Sequence, residues 1–136
     1  MKLNLGCGRD KKEDYINIDS NPKVKPDRIM EIPPLDFEDN SIEEIRAHHF
    51  LEHIKDIVEL MNECWRVLKP GGIMDIVVPY ALSHAAFQDP YHVRFFVPES
   101  FFYFSAYFNY LDYPIKQFQI LENRIDGNSL IVKLRK

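Results

Sequence analysis

Nothing in this sequence supplies the roughly 18 consecutive apolar residues that a membrane-spanning helix requires. Its first ten residues, MKLNLGCGRD, turn polar after five, so the apolar core of a secretion signal is not read there. Cysteine is scarce. Cys7 and Cys64 are the only two, too few for a disulfide framework, and no Cys/His cluster has the spacing of a zinc site. A reducing, cytoplasmic compartment and no metal are the resulting expectations. Basic charge is also in deficit: 17 Lys and Arg stand against 21 Asp and Glu, a formal net charge of −4. Binding along a nucleic-acid backbone favours the opposite balance, so DNA and RNA are not expected partners. Internal repeats and low-complexity tracts are absent. What remains is ordinary globular composition, 46% hydrophobic and 28% charged over 136 residues, enough for one domain.

Short apolar segments alternate with turn signals. Residues 2–5, 15–18, 28–32, 44–49 and 73–79 read as strands closed by Gly, Asp, Pro or Asn. Between the last two, Asp56 is placed to cap a helix carrying Ile57, Leu60, Met61, Cys64, Val67 and Leu68, which Pro70-Gly71-Gly72 stops. Pro98-Glu99 opens a second predicted helix to about Phe108. Segments 116–123 and 129–135 flank Asp126-Gly127, a favoured hairpin pair. The expected fold is α/β, a mostly parallel sheet ending in an antiparallel hairpin. Gly6 to Asp14 and Ser20 to Asp27 are too short for crossover helices, so bare loops are expected there.

The first strand ends in a Gly-x-Gly turn, Gly6-Cys7-Gly8. Lacking Cβ atoms, the glycines permit unusual dihedrals and close approach of a ligand to the backbone. A dinucleotide fingerprint would need glycine at position 11, where Lys11 stands, and a helix opening at the turn. That weighs against a nicotinamide-dependent oxidoreductase. Asp19 closes the second strand, and parallel strands bring their carboxyl ends together where ligands bind. Its carboxylate is placed either to accept from both ribose hydroxyls of a nucleoside or to cap the turn with Ser20, Asn21 and Pro22. Cys7 reads as a small packing residue rather than a nucleophile. Arg9 is either a partner for a ligand carboxylate or a solvated loop residue.

The stretches LNLGCGRD, YINIDSNP, LDFEDNSIEEIRAHHFLEHI and ECWRVLKPGGIMDIVVP, in this order and spacing, resemble the class I S-adenosylmethionine-dependent methyltransferases over residues 3–79. The resemblance implies a Rossmann-like fold, here in a reduced form lacking the first crossover helices. Residues 1–80 would be the cofactor-binding half and 81–136 an aromatic-rich segment with the terminal hairpin. It implies S-adenosylmethionine as cofactor, with Gly6, Cys7, Gly8 and Arg9 around the methionine part and Asp19 on the ribose. Glu31 and Ile32 match positions at the adenine edge, and His48 a backbone contact to the amino-acid end. Asn4 departs from the acidic residue usual there. Leu51-Glu52-His53 resembles a family helix start in which Glu and His are usually structural.

After residue 80 the chain turns aromatic around Asp89-Pro90-Tyr91-His92-Val93-Arg94. One reading makes this segment a lid, with His92 or Asp89 facing an acceptor, since histidine suits proton removal near neutral pH. The other makes the aromatics ordinary core and pairs Asp89 with Arg94. The implied reaction is methyl transfer to O or N of a small-molecule, saccharide or lipid-linked acceptor; a non-catalytic cofactor-binding scaffold is the alternative.

The strands also alternate. Leu3, Leu5, Ile16, Ile18, Ile45, Ala47, Met74, Ile76 and Val78 fall on one face, opposite Asn4, Asn17, Arg46 and Asp75. One face is therefore expected to lack helices, with Arg46 and Asp75 pairing across it, and to join two chains as a homodimer.

Overall fold

Alternating sequence builds a two-faced sheet. The computed structural model describes residues 1–136. Its strands are β1 (Lys2–Leu5), β2 (Ile16–Asp19), β3 (Arg28–Ile29), β4 (Ile42–His48), β5 (Leu68–Pro79), β6 (Gln119–Asp126) and β7 (Ser129–Arg135). They form one seven-stranded sheet in the order β3-β2-β1-β4-β5-β7-β6. The first five are parallel, and β7 runs antiparallel to both β5 and β6. This is the mostly parallel, Rossmann-like sheet with a terminal hairpin that the sequence implied.

Register aligns each face across strands. Leu5 is level with Ile18, Leu3 with Ile45, Ile45 with Met74, and Met74 with Leu134. All six residues are fully buried. On the reverse side Asn17, Asn4, Arg46, Asp75 and Lys133 make an equally continuous polar row across β2, β1, β4, β5 and β7.

The apolar face is covered by α1 (Ile57–Val67), whose N-terminus Asp56 caps through its carboxylate on the Glu59 N–H, 2.9 Å away. Leu60, Met61, Cys64 and Val67 recur at helical spacing and are buried in the same core as the strands. Burying a leucine such as Leu60 contributes about 1.5–3 kcal/mol. The helix ends at Val67, three residues before Pro70, because Leu68 already turns extended and begins β5.

Downstream elements differ from expectation. Residues 98–108 form not one α-helix but two 3-10 segments, Pro98–Phe104 and Ala106–Leu111, broken at Ser105. Only α2 (His84–Phe87), a single turn, is α-helical after β5. The hairpin loop is Gly127-Asn128, one residue later than the predicted pair, with Gly127 at φ +56°. Phe96, Phe101, Phe104 and Phe118 join the core, whereas Phe87, Tyr91, Phe95, Tyr103, Tyr107, Tyr110 and Tyr113 are exposed. Most of the aromatic segment is thus surface rather than ordinary core.

The reverse face carries no helix. The loop after β1 is bare, and the loop after β2 holds only a 3-10 turn, Pro22–Val24. The polar row holds these loops instead. Asn4 Nδ2 donates to the Asp10 carbonyl and to Asn17 Oδ1, each at 2.9 Å. Asn17 Oδ1 also accepts from the Lys12 N–H, and its amide donates to the Lys12 carbonyl. Buried polar atoms are thereby satisfied on loop backbone.

Arg46 and Asp75 do not pair directly, contrary to expectation. Arg46 is drawn to Asp10 (2.7 Å), Asn4 Oδ1 (3.0 Å) and His48 Nδ1 (2.8 Å), while His48 Nε2 lies 2.7 Å from Asp75 Oδ2. Arginine is always a donor, so His48 accepts at Nδ1 and donates from Nε2 to Asp75. That hydrogen bond holds the Asp75 carboxyl below its ordinary value, against the opposing effect of burial. A carboxyl depressed by folding contributes stability above its unfolded pKa of about 3.9 and loses it as pH falls through the lower folded value. Asp75→Asn should therefore lower the urea midpoint at pH 7, and the gap to wild type should close in titrations carried to progressively more acidic pH; a constant gap would mean that the charge is not what stabilises.

Candidate functional site

The carboxyl ends of β1 and β2 meet the start of the segment after β4, and a cleft of about 600 Å³ opens between them. That volume is in the range of small-ligand sites. Gly6 and Asp19 line it, with Glu31 and Ile32 on one side and His49, Phe50 and His53 on the other.

Gly6 and Gly8 take positive φ, +61° and +50°. At Gly6 a Cβ would stand 2.3 Å from Phe50 Cδ2, so glycine is required both by the dihedral and by the ring packed on it. At Gly8 a Cβ would meet nothing within 4 Å. The loop backbone is open there to an incoming molecule. Asp10, at the exit of the turn, is bound by Arg46 from the polar face, so that face fixes the glycine loop.

Asp19 does two structural jobs at once. Its Oδ2 accepts from the Gly8 N–H at 2.8 Å and its Oδ1 from the Asn21 N–H at 2.9 Å. The first tie joins the glycine loop to β2; the second is the turn cap considered from sequence. A carboxylate has about four acceptor positions, so each oxygen retains room for one more donor, such as a vicinal diol. Both readings of Asp19 are therefore compatible.

Other candidates separate. Glu31 and Ile32 line the cleft, whereas Cys7, Gly8 and Arg9 are not among its walls. Cys7 is buried with its sulfur 3.6 Å from the Gly8 carbonyl, and burial, then the Asp19 charge, raises its thiol pKa. It is a packing residue. Arg9 is exposed. His48 turns its side chain onto the polar face toward Arg46 and Asp75, leaving only main chain at this strand end for a ligand. His49, at φ +54°, occupies the cleft wall instead.

His92 and Asp89 do not line the cleft, and neither does any of the aromatics after residue 80, which speaks against the lid reading. His92 lies behind the wall, its ring edge-on to His53 at 4.9 Å, with Nε2 3.6 Å from Asp89 Oδ2. Arg94 is not paired with Asp89. Its guanidinium donates to the main-chain carbonyls of Ile54, at 3.3 Å, and Lys55. His53, read from sequence as structural, is a second imidazole, beside His49, that reaches the cleft. Nothing in its local sequence separates it from a helix-start residue, because the wall exists only once β1 and β2 are beside it.

The profile of the family described as "Methyltransferase domain" matches residues 3–76. A probable S-adenosylmethionine-dependent methyltransferase of Mycolicibacterium smegmatis is 27% identical over 75 residues, 52% of this chain. The match spans only 28% of that relative's length. Among solved structures, a SAM-dependent methyltransferase from Archaeoglobus fulgidus superposes with a TM-score of 0.68 at 17% identity, covering 99% of this chain and 85% of that one. The [4+2]-cyclase SpnF superposes with a TM-score of 0.75 at 14% identity, covering 99% and 73%. At these identities the structural likeness establishes the fold alone.

The glycine turn generates a direct test. Gly6→Ala should cost about 1–3 kcal/mol in urea unfolding, through the clash with Phe50 and the strained dihedral. Gly8→Ala, strained but unobstructed, should cost about 1–2 kcal/mol or less. Adding Phe50→Ala should recover part of the Gly6→Ala loss. Equal costs at the two glycines would refute the packing argument.

Proposed function

This chain belongs to the methyltransferase domain family, and on that premise we propose that it transfers the methyl group of S-adenosylmethionine to an oxygen or nitrogen of a small-molecule acceptor. The observation that carries the proposal is the junction of the glycine turn with Asp19, tied by the Gly8 N–H on the Asp19 carboxylate and open toward the cleft at Gly6 and Asp19. S-adenosylmethionine fits this site on three grounds. Asp19 retains acceptor positions for a ribose diol, the loop at Gly8 leaves space that no side chain fills, and the site needs no phosphate cradle. When bound, the cofactor supplies an already activated methyl group, so the protein's task is alignment.

In this reading Asp19 accepts from the ribose hydroxyls, Glu31 and Ile32 flank the adenine, and Gly6 and Gly8 run under the methionine part. His53 faces the acceptor. His92 and Asp89, set behind it, are positioning residues: the His92 ring braces His53 edge-on. Saccharide and lipid-linked acceptors belong to the same proposal. No helix is long and apolar enough to cross a membrane. Two buried, unpaired thiols support a reducing, cytoplasmic setting.

Calorimetric titration tests the site. Asp19→Ala should weaken S-adenosylmethionine by about 1.5–3 kcal/mol, the cost of losing charge-assisted hydrogen bonds. Unchanged affinity would remove Asp19 from the site, and binding without transfer to any of a panel of acceptors would favour a cofactor-binding scaffold.

The uncovered sheet face is proposed to pair with a second copy. Half-buried Ile73, Val77 and Ile131 lie beside Asp75 and Lys133, so a two-fold axis would match apolar to apolar and acid to base. Light scattering should give about twice the 16.1 kDa chain mass, and Val77→Glu should yield monomers. A monomeric wild type would rule the dimer out.

A further inference from the structure

Glu52 is 1% exposed, and its Oε2 has no hydrogen-bond partner. Its other oxygen is 3.7 Å from Nδ1 of the exposed His49, within ion-pair distance but beyond hydrogen-bond range. His49 leaves Oε2 untouched, and a buried carboxylate oxygen with no partner is costly. One donor atom each from Glu52, His53 and His92 lie within 4.8 Å of one another. We propose that these three residues bind a divalent transition-metal ion at the inner edge of the cleft.

The ligands are preorganised from behind. His92 Nδ1 lies 2.9 Å from the Ala86 carbonyl, which can only accept, so Nδ1 carries the proton and Nε2 keeps its lone pair. A main-chain carbonyl on the far ring nitrogen is the usual support of a metal-ligating histidine. The segment is also tied to Glu52 itself, whose carbonyl accepts from the Val93 and Arg94 N–H groups at 2.8 and 3.1 Å. With the Arg94 guanidinium on the carbonyls of Ile54 and Lys55, the backbone holds His92 against the turn bearing the other two ligands. Asp89 Oδ2, 3.6 Å from His92 Nε2, is the remaining neighbouring acid.

Two imidazoles and one carboxylate suit zinc and its first-row neighbours, whereas magnesium prefers an all-oxygen set. Three protein ligands leave one position open. Because His53 lines the same cleft as Gly6 and Asp19, that position would open toward this space. It would take an acceptor hydroxyl and make it more acidic, which narrows the acceptor to an alcohol or phenol. This last step rests on the methyltransferase reading. The metal site does not.

The test is titration of Zn²⁺, with Mg²⁺ as comparison, into chelator-treated full-length protein, followed by the visible spectrum of the Co²⁺ form. One Zn²⁺ per chain and a low-symmetry Co²⁺ spectrum are expected. Glu52→Gln and His92→Ala should each weaken Zn²⁺ at least about 100-fold, the upper end of what even outer-shell losses cost. Circular dichroism checks that each variant is folded. Should either fail to fold, the wild type still decides, because Zn²⁺ must raise its unfolding midpoint. No such rise, a hydrated-ion Co²⁺ spectrum, or Zn²⁺ held equally by folded variants would overturn the site. S-adenosylmethionine titrated into the chelated protein separates the two claims. Cofactor binding without Zn²⁺ binding removes the metal site alone; Zn²⁺ binding without cofactor binding leaves the metal site standing and removes the acceptor assignment with the methyltransferase reading.

Discussion

Backbone polarity in the helix-free loops is the constraint on which this small structure depends. A parallel sheet needs its crossovers, and crossovers without helices leave N–H and C=O groups to be satisfied elsewhere. Here the side chains of the uncovered face do that. Asn4, Asn17 and Arg46 stand level on adjacent strands and bond the loop from Gly6 to Tyr15, while Asp27 Oδ2 accepts from the Asn17 N–H and side-chain amide. The row therefore replaces a helical layer with hydrogen bonds.

The same row positions the site. Arg46 holds Asp10, Asp10 ends the glycine turn, and the turn is tied back to β2 by the Gly8 N–H on Asp19. One loop thus links the open face to the cleft. Asn4 belongs to this account: where a carboxylate is usual in the family, the amide supplies a donor to loop and strand and an acceptor for Arg46. Its role here is in holding the loop.

Much of this was legible from residue order. Alternation in KLNL, INID and IMDIVV assigned the residues of β1, β2 and the second half of β5 to their faces, because side chains in a strand point alternately to opposite sides. Asp56 and the Ile57 to Val67 stripe fixed α1, since capping and amphipathic spacing are local properties. The aromatic segment was less legible. A helix and a pair of 3-10 turns bury similar residues at similar spacing, and no local feature told Phe101, in the core, from Tyr103, exposed two residues later.

By itself the sequence determined what depends on near neighbours: strands, faces, α1, the glycine turn, the missing helices and the family motifs. Only the tertiary structure decided which imidazoles meet the cleft and which carboxylate is stranded in the interior. His48, His49 and His53 lie within one short stretch, yet His48 turns to the polar face and His53 to the cleft wall, as the strand ends and the backbone reverses at His49. His92 comes beside Glu52 and His53 through main-chain hydrogen bonds between segments far apart in the chain. Spacing along the chain carries no record of such a meeting, because it is fixed by how the sheet places its loops.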